Sequence, residues 1–491
     1  MKEVRTLAKQ TVIYGFGTIV PRFLNYGILT FFYTRIFEKG EYGIVTELYA
    51  WMVLLLIILT YGMETGFFRF AQEKKDYEKI YSTAIISLFI TSTLFIIFVF
   101  LFIEPVAAVL KYSSNQDYIK MFAVIVSIDA FNAIPFARLR NDNKPLIFSI
   151  IKIANVVITI LAVLFFFILA PSLYQSQNTG LLKFYDPDYG VGYVFLANLT
   201  GSAATLLMLL PFIIKTKPVY DLVIWKRMIN YSFPLLIAGL SGSINDAIDK
   251  ILLRRLTGEE NGLEIVGEYG AGYKIAVLMA LFIQMFRFAA EPFFFERAKY
   301  EKAKETYAFV MKYFVISMLI VYLGINLYIS GFQLIIGEIF REAVVVVPIV
   351  SMGYLMYGIY MNHSIWYKIN DMTKFGIYIT LAGAVITVMI NVIFIPAYSY
   401  MASAWAHVAS YGVMIGLSFV FARKHFRINY NMKELVPYFI LAIGIVILSR
   451  ILNYKNLAIE LTINSFFIII FILFAQHKDN LITIFLNKGS K

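Results

Sequence analysis

The sequence predicts an all-α polytopic membrane protein of about 14 transmembrane helices, arranged as two six-helix lobes related by a pseudo-two-fold axis along the membrane normal, with an additional helix pair at the C-terminus. Three observations predict it. The 491 residues are 60% hydrophobic and only 15% charged, with a mean hydropathy of +0.73, which is more apolar surface than a water-soluble core can hide. Apolar segments of about 20 residues, the length that spans a bilayer as a helix, recur along the whole chain. One such segment with its flanks also occurs twice. Glu41 to Glu78 lies without a gap over Glu268 to Glu305, at a constant offset of 227 that pairs Glu41, Tyr42 and Gly43 with Glu268, Tyr269 and Gly270, and Glu64, Phe67, Phe68 and Ala71 with Glu291, Phe294, Phe295 and Ala298.

The first six expected spans lie near 11–36, 43–67, 81–103, 118–138, 146–170 and 191–214. Six more lie near 229–253, 268–290, 308–330, 343–366, 375–395 and 402–422, and a final pair near 436–452 and 457–475. The basic start MKEVRTLAKQ precedes an apolar run too long for a signal-peptide core and without a small-residue cleavage site, so it reads as a retained first helix. The longest connections, Pro171 to Gly190 and Glu291 to Tyr307, are about 20 residues or fewer, which leaves no room for a large soluble domain. Weaker echoes support the two halves. Asn141-Asp142 and Asn370-Asp371 lie 229 apart, and the first and seventh spans each carry an early Pro (Pro21, Pro234), an Asn (Asn25, Asn245) and a terminal Arg (Arg35, Arg255). The expected lobes are 1–215 and 216–434, followed by 435–491 as a two-helix segment and tail. Parallel repeats of this kind place a transporter's substrate at the repeat interface.

Orientation follows from Lys and Arg. With the N-terminus cytoplasmic, roughly 28 of the 43 basic residues fall in inner loops and about 10 in outer ones, so both termini are expected in the cytoplasm of a plasma (inner) membrane. The formal charge of +12 is therefore mostly topology. Short alternate loops scatter these charges, whereas nucleic-acid binding needs them on one folded face with aromatic platforms.

Ionisable groups inside spans cost about 2.5–3.5 kcal/mol on insertion scales, so they face a wet cavity or a partner. In the first span Gly15, Thr18, Arg22 and Asn25 recur at helical spacing, with Pro21 removing a hydrogen bond beside them. In the seventh, Asn245, Asp246, Asp249 and Lys250 share a face; Asp246 and Lys250 are spaced to pair at i and i+4, which leaves Asp249 the freer carboxylate. Asp129 and Asn132 lie in the fourth span, and Lys152, Asn155 and Thr159 stripe the fifth. Glu47 and its repeat-mate Lys274 carry opposite charges and suit either an outer latch or two snorkelling side chains. Glu64 and Glu291 sit at inner helix ends beside Arg69 and Arg287, where a gate and a structural ion pair look alike. The candidate substrate-binding set is thus Arg22, Asn25, Lys152 and Lys274. The candidate ion-coupling or gating set is Asp129, Asp249, Asp246, Glu47, Glu64 and Glu291, with H⁺ or Na⁺ as the coupling ion.

Enzyme signatures are missing from the text of the chain. There is no GxxxxGK[ST] phosphate loop, no HExxH and no GxSxG; the four histidines, His363, His407, His425 and His477, lack ligand spacing, and there is no cysteine. No cofactor and no metal are expected, and the reading is of a non-enzyme.

The N-terminal run LAKQTVIYGFGTIVPRFLNYGILTFFYTRIFEKGEYGIVTELYA, continuing into YGMETGFFRFAQ, resembles the start of Wzx-type polysaccharide flippases of the multidrug/oligosaccharidyl-lipid/polysaccharide exporter superfamily. The likeness extends through the six-plus-six-plus-two layout. It implies a V-shaped pair of six-helix lobes that carries an undecaprenyl-pyrophosphate-linked oligosaccharide, such as an O-antigen unit of lipopolysaccharide, from the inner to the outer leaflet. Lipid-linked oligosaccharide and membrane lipids are then the partners, with other glycan-assembly proteins as further candidates. It also implies that basic side chains on the first and eighth helices line the cavity, at the positions of Arg22 and Lys274. The acidic seventh helix and the single mid-membrane Arg of the first depart from the pattern. A lipid II flippase, an ion-coupled drug/cation antiporter of the same superfamily, and a non-transporting scaffold are the alternatives.

Overall fold

The computed structural model describes residues 15, 17–72, 74–175, 185–258, 261–298, 300–452, 454 and 456–481. They form helices in the expected order: α1 (17–36), α2 (Lys39–Phe70), α3 (Tyr77–Leu101), α4 (Gln116–Asn141), α5 (Pro145–Tyr174), α6 (Gly192–Ile214) and α7 (Leu222–Leu256). There follow α8 (Gly262–Arg297), α9 (Ala303–Leu327), α10 (Glu338–Ile369), α11 (Lys374–Tyr398), α12 (Tyr400–His425), α13 (Met432–Ile451) and α14 (Leu457–Asp479). Twelve of these, all except α1 and α7, are long and apolar enough over described residues to cross a membrane. The seventh expected span is the 35-residue α7, whose length suffices but whose Asp246, Asp249, Lys250, Arg254 and Arg255 dilute its apolar character. Part of the first expected span, 11–14 and residue 16, lies outside the described residues.

Several boundaries differ from the sequence reading. The expected connection from Glu291 is helical as far as Arg297, although Pro292 brings no backbone N–H to the ladder. The tenth span opens with a 3₁₀ stretch, Glu338–Val346, before its α-helical part Val347–His363. Helix α1 carries a π-helical turn at Asn25–Leu29, four residues beyond Pro21. Helix α2 breaks at Tyr61 and Gly62, which adopt positive φ (34° and 70°). A Cβ at Gly62 would lie 2.8 Å from the Ser232 carbonyl oxygen of α7, so glycine serves both the left-handed turn and the close approach.

The described chain divides into two compact units, Met1–Leu29 with Glu41–Ile251, and Thr30–Gly40 with Leu252–Lys491. These units follow packing rather than span boundaries, so most of α7 groups with the first and the end of α1 with the second, whereas the expected cut at 215 is a boundary between spans. In the first unit, α4 packs against α3 and α6, and α5 against α6. Small residues allow these approaches, as expected where lipid-exposed helices associate by close packing. A Cβ at Gly17 would fall 2.8 Å from the Ser149 Cα of α5, and one at Gly201 would fall 3.2 Å from the Asn155 carbonyl oxygen.

In the second unit, α8 packs on α10, and α10 and α11 on α12. Gly272 leaves no room for a Cβ against the Ala343 backbone, where the oxygen would lie 2.5 Å away. The helix pair α13 and α14 packs on α9 and is fastened at both ends. At one end Lys312 donates to Glu434 at 2.6 Å and to Asp479 at 2.5 Å; at the other, Tyr328 meets Ser465 at 2.6 Å and Asn464 donates to the Leu327 carbonyl at 2.6 Å.

Candidate functional site

In the first unit, α1, α4, α5 and α6 bring a strip of polar side chains together inside otherwise apolar helices. The close approach of Gly17 to Ser149 seats α1 along α5. Arg22, exposed on this unit, and Lys152 of α5 are within electrostatic range of each other, and Lys152 is within range of the Asp129 carboxylate. Lys152 stands 4.0 Å from the centre of the Phe136 ring of α4, a cation–π contact worth about 0.5–2 kcal/mol. Asp129 accepts from the Ser202 hydroxyl at 2.8 Å, and Asn155 donates to Thr205 at 2.9 Å. Asn132, one turn from Asp129, is 2% exposed, and neither atom of its amide has a hydrogen-bond partner among the described residues. Tyr26 lies between the fields of Arg22 and Asp246. Asn25 opens the π-turn of α1 and is half-buried. Arg22 and Lys152 thus bring two cations into a strip that also holds Asp129 and, beside Tyr26, Asp246.

The α7 pairing differs from the sequence expectation. Lys250 takes the carboxylate of Asp249, the residue expected to be freer, at 2.9 and 3.1 Å, and spends another donor on the Asp246 backbone carbonyl at 2.7 Å. The reason is burial: Asp249 is fully buried and demands a counter-charge, whereas the Asp246 side chain is exposed. Asp249 is therefore the neutralised member of the set.

Glu64 likewise has Arg140 of α4 as its ion-pair partner, where the sequence suggested Arg69. Gly66 fits α2 against Met228 and Ser232, and the Arg140 guanidinium stacks 4.8 Å from the Phe68 ring centre on the same stretch of α2. Glu47 is fully buried and accepts from the Tyr112 hydroxyl at 2.7 Å. In the second unit, Lys274 is half-buried on α8, and Glu291 accepts from Lys368 at 2.6 Å with Arg287 at 3.8 Å. In the connection between α5 and α6, burial and the Asp117 carboxylate that accepts its hydroxyl hold the Tyr189 phenol above its usual range.

Sequence reasoning missed Ser202, Thr205, Phe136 and Arg140 as partners. The spacing of Asn198, Ser202 and Thr205 along α6 was a readable polar stripe; the role of Phe136 was not, since an aromatic in an apolar helix carries no distinguishing pattern.

The model of the family described as Polysaccharide biosynthesis protein matches residues 7–298, more than half of the chain. The chain belongs to this polysaccharide biosynthesis family. No match is found among curated proteins. Among solved structures, this member of the family is similar to a lipid II flippase MurJ in an inward closed conformation, at TM-score 0.69 and 13% identity over 96% of this chain and 99% of that one. It is also similar to an inward-facing multidrug resistance MATE family transporter of the MOP superfamily, at TM-score 0.60 and 14% identity over 84% of this chain and 94% of that one. A MATE structure in complex with MaD3S follows at TM-score 0.59 and 15% identity, over 85% of this chain and 95% of that one. The polysaccharide biosynthesis protein thus has the fold of the MOP-superfamily transporters.

Proposed function

We propose that the chain is a flippase that carries undecaprenyl-pyrophosphate-linked oligosaccharide from the inner to the outer leaflet by alternating access, for surface polysaccharide biosynthesis. Family membership supports the glycan, and the fold supports the transport mode. The observation that carries the reading is the pair of cations, Arg22 and Lys152, set among polar side chains within otherwise apolar helices. A diphosphate bearing a polar glycan cannot cross hydrocarbon unaided, and needs a hydrated cationic surface for its head. A guanidinium supplies a forked set of donors that fits phosphate oxygens.

In this reading both termini are cytoplasmic, residues 1–215 and 216–434 are the two lobes, and 435–491 forms the additional pair with its tail. Arg22, Asn25, Lys152 and Lys274 bind the head. Glu64 and Glu291 gate, Asp129 is the group most suited to a coupling H⁺ or Na⁺, and glycan-assembly proteins are neighbours in the membrane. An anionic head moving outward gains about 2.3 kcal/mol per charge per 100 mV from a membrane potential positive outside, so ion coupling assists export and is not obligatory.

The test is flux in liposomes of the purified protein, with labelled undecaprenyl-pyrophosphate oligosaccharide, lipid II and an ethidium-like cation offered separately. Transport of the oligosaccharide lipid, partly retained by Arg22→Lys and mostly lost in Arg22→Ala at normal protein abundance, supports the proposal. Preferential transport of lipid II or of the organic cation overturns it in favour of that substrate, and flux of none of them leaves a non-transporting scaffold.

A further inference from the structure

We propose that Arg450, at the end of α13, binds the phosphate of an anionic membrane phospholipid such as phosphatidylglycerol. Arg450 lies in the last turn of the helix Met432–Ile451 and is exposed. Helical spacing puts it at the edge of one stripe with Ile443, Ile447 and Ile451, which are 40%, 53% and 72% exposed. The buried residues of α13, among them Tyr438, Ala442 and Ile445, lie on the other side of the helix. The stripe therefore faces lipid, and one cation closes it. At 1.5 Å per residue, the 17 positions from Lys433 to Arg450 rise about 25 Å, against a hydrocarbon core of about 30 Å. With Lys433 at one boundary of that core, the long Arg450 side chain reaches the other, at the depth of the lipid phosphates.

The chain gives this guanidinium no counter-charge. Among the described residues Arg450 has no hydrogen bond and no ion pair, and its neighbour within electrostatic range is the Tyr322 phenol of α9. Glu460, in the first turn of α14, accepts from the Ser330 hydroxyl at 2.5 Å and forms no ion pair with Arg450. Two other cations show the contrast. Arg35, also exposed in the last turn of its helix, donates to the Phe31, Leu334 and Ile335 carbonyls at 2.7, 2.6 and 3.3 Å, and Lys312 holds two carboxylates. An arginine cannot shed its proton, so a charge left unanswered on a lipid-facing stripe is answered by the bilayer. A phosphodiester fits it, because its two unesterified oxygens match the forked donors of a guanidinium. Phosphatidylglycerol carries no cation of its own, which leaves that charge for Arg450, while its acyl chains run along Ile447 and Ile443. The site is independent of the cargo assigned above.

The test is native mass spectrometry of the full-length protein in detergent, titrated with phosphatidylglycerol, with diacylglycerol as the probe that lacks the phosphate. The parent should retain one phosphatidylglycerol that Arg450→Gln binds about ten-fold more weakly, the loss expected when a charge-assisted hydrogen bond is removed. Arg450→Lys should keep part of that affinity. Because Arg450 has no partner in the chain, Arg450→Gln should match the thermal stability of the parent in lipid-free detergent and gain less from added phosphatidylglycerol. Equal retention by the parent and Arg450→Gln overturns the proposal, as does a loss of stability in Arg450→Gln without lipid, which would give the residue a role inside the fold. If Arg450→Gln does not accumulate, the parent decides: phosphatidylglycerol held about ten-fold more tightly than diacylglycerol upholds the site, and equal binding overturns it. Undecaprenyl phosphate held more tightly than phosphatidylglycerol, and released by Arg450→Gln, would assign the site to a polyprenyl cargo and overturn the phospholipid.

Discussion

The Lys250 ammonium is hydrogen-bonded to the carboxylate of its immediate neighbour Asp249, at 2.9 Å, and both side chains are almost entirely withdrawn from solvent. Breaking a buried pair by removing one partner costs about 3–5 kcal/mol, because the other charge is stranded. Lys250→Met should therefore lower membrane abundance several-fold, and adding Asp249→Asn should restore it. Quantitative immunoblotting of the two single variants and the double variant decides it; additive losses would show that Asp249 and Lys250 act through other partners.

Asp129 is the contrasting carboxylate. It is half-buried, holds a hydroxyl from Ser202, and shares its field with Lys152 rather than taking a direct salt bridge from it. If transport is ion-coupled, Asp129→Asn should change the dependence of glycan flux on Na⁺ or pH, while Asp249→Asn in a stable background should not. Flux measured across ion and pH gradients tests both, and an unchanged dependence in Asp129→Asn assigns that residue to structure.

Glu64 and Arg140 tie α2 to α4, but both side chains are more than a third exposed. Screening limits such a pair to at most about 1 kcal/mol of coupling. Arg140→Ala should cost more than Glu64→Ala, because it also removes the stacking of the guanidinium on Phe68. A double-mutant cycle on thermal unfolding in detergent measures the coupling, and a value well above 2 kcal/mol would contradict the exposed geometry.

Lys312 bridges Glu434 and Asp479, and Asp479 also accepts from the Tyr438 hydroxyl. Lys312→Met should loosen α13 and α14 together, at a cost of about 2–3 kcal/mol for losing two charge-assisted hydrogen bonds. Hydrogen exchange should rise near both Glu434 and Asp479. A rise confined to one helix would mean that the staple is not shared.

Gly66 is the fifth test, and it concerns approach rather than charge. A Cβ there would lie 2.5 Å from the Ser232 hydroxyl, so Gly66→Ala displaces only a side-chain tip, whereas Gly66→Leu must push α2 away from α7. The alanine variant should fold with near-normal thermal stability, and the leucine variant should lose at least about 1–3 kcal/mol through overpacking.

By itself the sequence determined the number and order of the spans, the internal repeat and the side chains worth suspecting. Each of these is local: a bilayer demands about 20 apolar residues per helix, and a helix puts Arg22 and Asn25 on one stripe whatever lies opposite. Tertiary structure alone decided whom each charge meets. Glu64 reaches Arg140, 76 positions away, although Arg69 is five positions along the chain, and Lys368 reaches Glu291 across 77 positions. Asn362, unremarkable in the text between Met361 and His363, is like Asn132 a buried amide whose side-chain atoms have no hydrogen-bond partner among the described residues. Hydrogen bonds and ion pairs need donor and acceptor within about 3–4 Å, and which helix faces come that close depends on where a missing Cβ, as at Gly66, Gly201 and Gly272, lets two backbones approach. Periodicity within one helix carries no information about that distance.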